Sequence, residues 1–206
     1  MIRKMLLAAA LVVIVIYCFR EAVPSSDAFI AKTYAQRRAK NTAFRNGANS
    51  PLTNAQRAAF DTLNYYAPNP DLAVRASLSR EARPDTVLIQ TTGDAPEKYL
   101  HWGVAKFEID KQPQQLSLFV KASRLDSTLF IPFTDGTNGR GSYGGGRYLD
   151  VAIPALDFTS ITLDFNQAYN PYCAYNDEYS CPVPPSENRL PVAIPAGEKE
   201  FDSHNH

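Results

Sequence analysis

Asp71-Leu72-Ala73-Val74-Arg75-Ala76-Ser77-Leu78-Ser79 is the stretch that decides the fold class. Leu72, Val74, Ala76 and Leu78 alternate with Ala73, Arg75, Ser77 and Ser79, the two-residue period of a strand with one apolar and one wet face. Strand-like stretches follow at Thr86 to Thr92, Lys98 to Ile109, Gln115 to Ala122, Thr128 to Phe133, Arg147 to Ile153, Ser160 to Phe165 and Leu190 to Ile194. Short separators such as Gly93-Asp94, Asp110 to Pro113 and Ser123 to Asp126 favour antiparallel neighbours, because a parallel pair needs a long crossover between its strands. The predicted fold is therefore mainly β, an antiparallel β-sandwich or partly closed barrel. Eleven Tyr, eleven Phe, fifteen Pro and ten Gly suit a β domain with long loops better than a helical bundle.

Upstream of Asp71 the period is helical. Ser25-Ser26-Asp27 offers N-cap oxygens, and Phe29, Ile30, Tyr34 and Ala35 share a face opposite basic residues, predicting a helix to about Arg45 that Asn46-Gly47 ends. The expected arrangement packs the apolar side on the domain and leaves the basic side in solvent. Thr53 and Gln56 form a capping-box pattern before Ala55, Ala59, Phe60 and Leu63, a second and shorter helix closed by Pro68 and Pro70. These two N-terminal helices are expected to cover an edge or an open end of the sheet.

At the start of the chain, Arg3 and Lys4 precede an apolar run from Met5 to Phe19, which Arg20 and Glu21 close. Its length, about fifteen residues, falls between a signal-peptide core and a spanning helix of roughly twenty. Small residues are hard to place at a cleavage site near its end, so an N-terminal hydrophobic anchor helix is favoured over a cleaved signal. Against this orientation, Arg20, Lys32, Arg37, Arg38 and Lys40 outnumber the basic residues before the run. The expected division is 1–23 as signal anchor or signal peptide, 24–199 as a single β-rich domain with a helical N-terminal part, and 200–206 as a flexible tail. The domain is then expected to be membrane-anchored on the periplasmic or extracytoplasmic side, with the membrane as partner through residues 5–19. Lys plus Arg equals Asp plus Glu, 21 each, so no net field draws in nucleic acid, and it is not expected as a partner.

Two segments do not read as ordinary strand or turn: Thr134 to Tyr148, rich in glycine, and Asp164 to Leu190. Backbone N–H groups of the glycine loop can form an anion nest, with Arg140 or Arg147 adding planar charge-assisted hydrogen bonds; the alternative is a tight turn in which Arg147 pairs internally. No Gly-Lys-Ser/Thr follows, so the loop is not a nucleotide-binding P-loop, and its spacing also misses a calcium loop. Ser142 misses a nucleophile elbow by one position, and a triad of Ser142 with His101, the one histidine inside the domain, is generic.

In the second segment, Asp164, Asn166, Asn170, Glu187 and Asn188 are interleaved with Tyr169, Tyr172, Tyr175 and Tyr179, which suits hydroxylated ligands and suits loop structure equally. Cys173 and Cys181 flank a polar stretch, and a disulfide between them would stabilise the fold by about 2.5 kcal/mol. The competing reading is a metal held with further ligands such as His101 and Asp177 or Glu178, although the spacing is wider than zinc pairs usually show.

The residues Asp135-Gly136-Thr137-Asn138-Gly139, Tyr143-Gly144-Gly145-Gly146-Arg147-Tyr148, Asp164 to Tyr175, Cys181 to Leu190 and Ala196-Gly197-Glu198-Lys199 resemble the bacterial family named domain of unknown function 1684, from about Ala28 to Lys199. The family carries no established activity or cofactor. The resemblance implies that the glycine loop and the cysteine segment belong to one shared design around a pocket. Members without an export segment also imply a metal or buried-thiol role for the cysteines as an alternative to the disulfide.

The function expected first is binding of a small polar or anionic ligand, or of an envelope component, at a site drawn from Tyr143, Arg147, Tyr148, Asp164, Asn166, Asn170, Glu187 and Asn188. The alternatives are a hydrolase using Asp164 or Glu187 as base with Arg147, a metal-dependent enzyme through Cys173 and Cys181, and a structural accessory protein.

Overall fold

The computed structural model describes residues 25–93, 95–123 and 128–201. Helix α1 runs Ser26–Asn46, capped by the Ser25 hydroxyl accepting from the Ala28 N–H. Helix α2, Asn54–Ala59, opens with the capping box expected of Thr53 and Gln56. Seven strands follow: β1 Ala73–Arg80, β2 Thr86–Ile89, β3 Glu97–Ile109, β4 Gln112–Lys121, β5 Thr128–Phe133, β6 Arg147–Ala152 and β7 Ser160–Asp164.

They form one curled antiparallel sheet, a half-barrel, in the order β6-β5-β4-β3-β1-β7. The long β3 serves two partners: β2 pairs with its first part from Glu97 to Leu100, and β1 with Gly103 to Lys106. Between them the register shifts at His101/Gly103, where a Cβ on Gly103 would lie 2.3 Å from the Ser79 carbonyl oxygen. The β3–β4 turn places Asp110 and Lys111 at φ 51° and 62°, the twist that a two-residue hairpin needs.

Alternation sorts side chains onto the two faces. Val74, Ala76, Leu116, Leu118, Leu129, Ile131, Leu149 and Leu163 turn to the inner face, where the main core forms with Phe133, Phe165 and Ile194. The opposite face carries a smaller cluster of Tyr99, Phe119, Phe130 and Ile89. A third cluster, Phe44, Leu52, Phe60, Leu63 and Tyr175, docks α1 and the segment after α2.

Several expectations need correction. Helix α1 does not bury its Phe29/Tyr34 side: Tyr34 is 46 % exposed, while Thr33, Arg37 and Phe44 face inward. Arg37 tolerates burial because its guanidinium lies 4.5 Å from the Tyr65 ring centroid and donates to the Tyr66 carbonyl at 2.8 Å. Leu190 to Ile194 is not a strand; Pro191 and Pro195 lack N–H groups, and the segment runs irregularly beside Thr134 to Gly136. Of the two expected sheet architectures, the sandwich is not found and the partly closed barrel is: the sheet is one curled layer.

The expected membrane-anchored location is also corrected: among the described residues no helix is long and apolar enough to cross a membrane. The run at residues 5–19, the whole of 1–23 and residues 202–206 of the tail lie outside the described residues.

Candidate functional site

Arg147 and Tyr148 are consecutive on β6, so the pleat sends them to opposite faces. Arg147 points inward and is fully buried. Its Nη2 donates to Asp135 Oδ2 at 2.6 Å and to the Ile194 carbonyl at 2.9 Å, and Nη1 donates to the carbonyls of Ala196 and Glu198. Asp135 Oδ1 in turn accepts from the N–H groups of Thr137 and Ile194 at 2.8 and 3.1 Å. The glycine loop is thus folded around an internal ion pair, and Gly146 (φ +97°) is required there because a Cβ would meet the Phe133 oxygen at 2.8 Å. Ser142 is equally enclosed: its Oγ bonds with Thr137 Oγ1 and Asn138 Nδ2, whereas His101 packs on Phe119 and faces Glu81.

The asparagines of the second segment bridge backbone. Asn188 accepts from the Ser117 N–H and donates to the carbonyls of Ser117 and Pro132. Asn166 binds both the N–H and the carbonyl of Asn69, and Asn170 donates to the Lys199 carbonyl. Asp164 caps the turn at Phe165–Gln167 and Glu187 lies exposed on the turn at Ser186–Asn188, so neither carboxylate meets Arg147.

Tyr148 belongs to a different place. On the sheet face opposite the main core, a cavity of about 520 Å³ opens between α1, the sheet and the cysteine segment. Its floor is Tyr99, Phe130, Tyr148 and Asp150 from β3, β5 and β6, and Lys40 and Phe44 of α1 close one side. The cysteine segment makes the remaining wall. It joins the free edge of β6 at Tyr169, which exchanges both backbone hydrogen bonds with Tyr148, and then ties to the chain after β2 through Val183 N–H to Gln90 and Thr92 N–H to Cys181. The Tyr148 hydroxyl donates to the Pro182 carbonyl and fixes this wall over the floor.

The charges in the cavity are mostly paired. Lys40 meets the buried Glu198 at 2.5 Å, with its ammonium 4.7 Å from the Tyr169 ring centroid, and Lys121 meets Glu97 at 2.7 Å. Asp150 instead accepts from the Tyr169 hydroxyl at 2.7 Å. Burial raises the Asp150 carboxyl above its usual range, while the Tyr169 bond and the Lys40 charge oppose it. Burial also pushes the hydroxyls of Tyr99, Tyr148 and Tyr169 up, so these rings are neutral donors.

Cys173 and Cys181 stand as two thiols, not as the expected disulfide. The Cys173 N–H donates to Cys181 Sγ at 3.2 Å, and the segment is already held at both ends by backbone pairing, so its conformation needs no covalent staple. Cys181 is buried on the cavity wall; Cys173 is half-buried, with its sulfur 3.9 Å from the Tyr143 hydroxyl. Among the described residues no group of three or more His, Cys, Asp or Glu side chains is gathered as a metal would need.

Of the residues singled out in the sequence, the structure brings Tyr148, Tyr169, Tyr172, Tyr179 and Cys181 to the cavity and sets Tyr143 and Cys173 beside it. Lys40, Tyr99 and Asp150 escaped sequence reasoning. The pleat of β6 carries a usable signal for Asp150, two residues from Tyr148 on the same face; Lys40 has none, since its basic neighbours predict a solvated helix face.

A family model described as "Protein of unknown function (DUF1684)" matches residues 58–199. Among solved structures, an uncharacterized protein of Haloarcula marismortui determined by solution NMR is similar at 38 % identity and a TM-score of 0.67, covering 85 % of this chain and 95 % of its own. No curated protein matches the chain. With most of the domain inside the family match, the glycine loop and the cysteine segment included, this chain belongs to the DUF1684 family of proteins of unknown function.

Proposed function

We propose that the cavity between α1, the sheet and the cysteine segment binds a small polar ligand that presents hydroxyl or amino donors together with a sugar-ring face or a cationic head. The carrying observation is Asp150, a carboxylate on the cavity floor whose partner is the Tyr169 phenol rather than a cation. Lys40 and Lys121 are each matched to a carboxylate, so the acceptor left for a ligand is anionic. That favours a donor-bearing ligand over the anionic one expected from the glycine loop, whose arginine is fully buried and bonded internally. Tyr99, Phe130, Tyr148 and Tyr172 supply faces for stacking against a sugar ring or an organic cation. A volume of about 520 Å³ lies within the roughly 300–1,000 Å³ usual for small-molecule sites.

The test is a panel of methyl glycosides, choline and inorganic phosphate followed by tyrosine ring chemical shifts and thermal stability. Glycosides or choline are expected to shift Tyr99 and Tyr148 resonances, and Asp150→Asn to weaken that binding about tenfold, the loss of one hydrogen bond to a charged acceptor. Response to phosphate alone, or to none of the three, would refute this reading.

A further inference from the structure

Beside the cavity, two free cysteines lie side by side without being joined, and what holds them together is backbone. Tyr169 pairs with β6 on one side of the segment; on the other, the Cys181 N–H donates to Thr92 Oγ1 at 3.0 Å and the Cys181 carbonyl accepts from the Thr92 N–H at 2.9 Å. These ties bring Cys181 Sγ within 3.2 Å of the Cys173 N–H, so the reduced pair is already juxtaposed. The two thiols are unlike: Cys181 is 6 % exposed and sealed on the cavity wall, whereas Cys173 is half-buried and reachable from solvent.

From this juxtaposition and asymmetry we infer that Cys173 and Cys181 form a redox-active dithiol that exchanges with low-molecular-weight disulfides, with Cys173 as the attacking thiol and Cys181 as the resolving one. The electrostatics agree. A hydrogen bond from the Cys181 thiol is the largest influence on Cys173 and, against its partial burial, holds it at about 6, below the usual thiol range; the Tyr143 hydroxyl and Thr92 add to the effect. Cys181 is driven the opposite way by the same bond and by burial, against the Cys173 and Tyr172 N–H groups that favour its charged form, so the direction of the pair makes Cys173 the more acidic thiol.

In the reaction, the Cys173 thiolate attacks one sulfur of a small disulfide R–S–S–R. The S–S bond breaks, a Cys173–S–S–R mixed disulfide forms, and R–S⁻ leaves and takes up a proton. Cys181 then loses its proton to solvent and attacks the Cys173 sulfur, forming the internal disulfide and expelling a second R–S⁻. The pair, one thiolate and one thiol, gives up two electrons and one proton, and the small disulfide becomes two thiols by taking up that proton and a second one from solvent. Because Cys173 is a stabilised thiolate, it is also a good leaving group, which makes the internal disulfide easy to reduce again.

The probe is oxidised glutathione added to the reduced full-length chain carrying Cys18→Ser, which removes the third cysteine. Intact mass and peptide mapping should show an internal Cys173–Cys181 disulfide. Adding Cys181→Ser should halt the reaction at one glutathione on Cys173, and Cys173→Ser should leave position 181 unmodified. In the parent protein, which needs no variant of the pair, iodoacetamide at neutral pH should alkylate Cys173 roughly tenfold or more faster than Cys181. Equal alkylation rates, an adduct arising first on Cys181, or no internal disulfide at any glutathione ratio overturns the inference. None of these readouts requires a ligand in the cavity, so this result and the ligand-binding result stand or fall separately.

Discussion

At the scale of single residues, the molecule separates neighbours that the sequence presents together. Gly146-Arg147-Tyr148 reads as one motif, yet Arg147 closes a ring of carbonyls beneath the glycine loop while Tyr148 floors the cavity on the other face. Arg147 and Asp135 are both fully buried in their side chains and paired at 2.6 Å. Removing one partner of such a pair leaves an uncompensated charge in a dry interior. Arg147→Met is therefore expected to destabilise by about 3–5 kcal/mol in urea unfolding. Adding Asp135→Asn should restore part of that loss, because the remaining amide oxygen still accepts from the Thr137 and Ile194 N–H groups. If the double variant is no more stable than Arg147→Met, the ion pair is not what the loop is built around. The alternative that Arg147 pairs internally was open in the sequence. What could not be read there was its partner, since Asp135 meets Arg147 only once the whole loop has closed.

Among elements, β4 and β5 show how the chain handles a residue that breaks a ladder. They are in register at Phe119 and Phe130, but Pro132 has no N–H to offer the facing Ser117. The Asn188 carboxamide enters at this point and meets the Ser117 N–H at 2.7 Å, the Ser117 carbonyl at 2.9 Å and the Pro132 carbonyl at 2.8 Å. Asn188→Ala strands three buried polar groups and is expected to cost about 3 kcal/mol, with faster amide exchange at Ser117 as the local sign. An unchanged exchange rate there would mean that the strands hold each other without the carboxamide. Asn188 was a ligand candidate because it lies in a polar, tyrosine-rich segment, and nothing local distinguishes an amide that binds backbone from one that binds a ligand. Strands were easier to read: every β1 position from Val74 to Leu78 that alternation assigned inward packs on the main core. The buried side of α1 was misread for a related reason, since its neighbours are Tyr65 and Glu198, whose ring and charge accept basic side chains that a hydropathy pattern sends to solvent.

Across the whole molecule, Glu198 ties distant parts of the chain together. It is 1 % exposed and receives Lys40 of α1 at 2.5 Å, the Tyr175 hydroxyl at 2.5 Å, the Asn170 N–H at 2.9 Å and the Tyr65 hydroxyl at 3.5 Å. Its carbonyl accepts from Arg147, so the same residue links the helix, the cysteine segment and the glycine loop. Burial, followed by the Glu198 charge, raises the Tyr65 and Tyr175 hydroxyls, which therefore remain donors at neutral pH. Glu198→Ala removes the acceptor from all of them at once and leaves Lys40 without its ion partner, a change expected to cost about 3–5 kcal/mol. Lys40→Met should cost less, because the Lys40 side chain is 29 % exposed and Glu198 keeps its two short bonds from Tyr175 and Asn170. The distinguishing measurement is hydrogen exchange: with Glu198→Ala, protection should fall together in α1 and in the segment from Tyr169 to Val183, while β1, β3 and β7 keep theirs. Loss confined to the residues around position 198 would show that the helix and the cysteine segment are held independently. Loss in both would mean that the two walls of the cavity open as one unit.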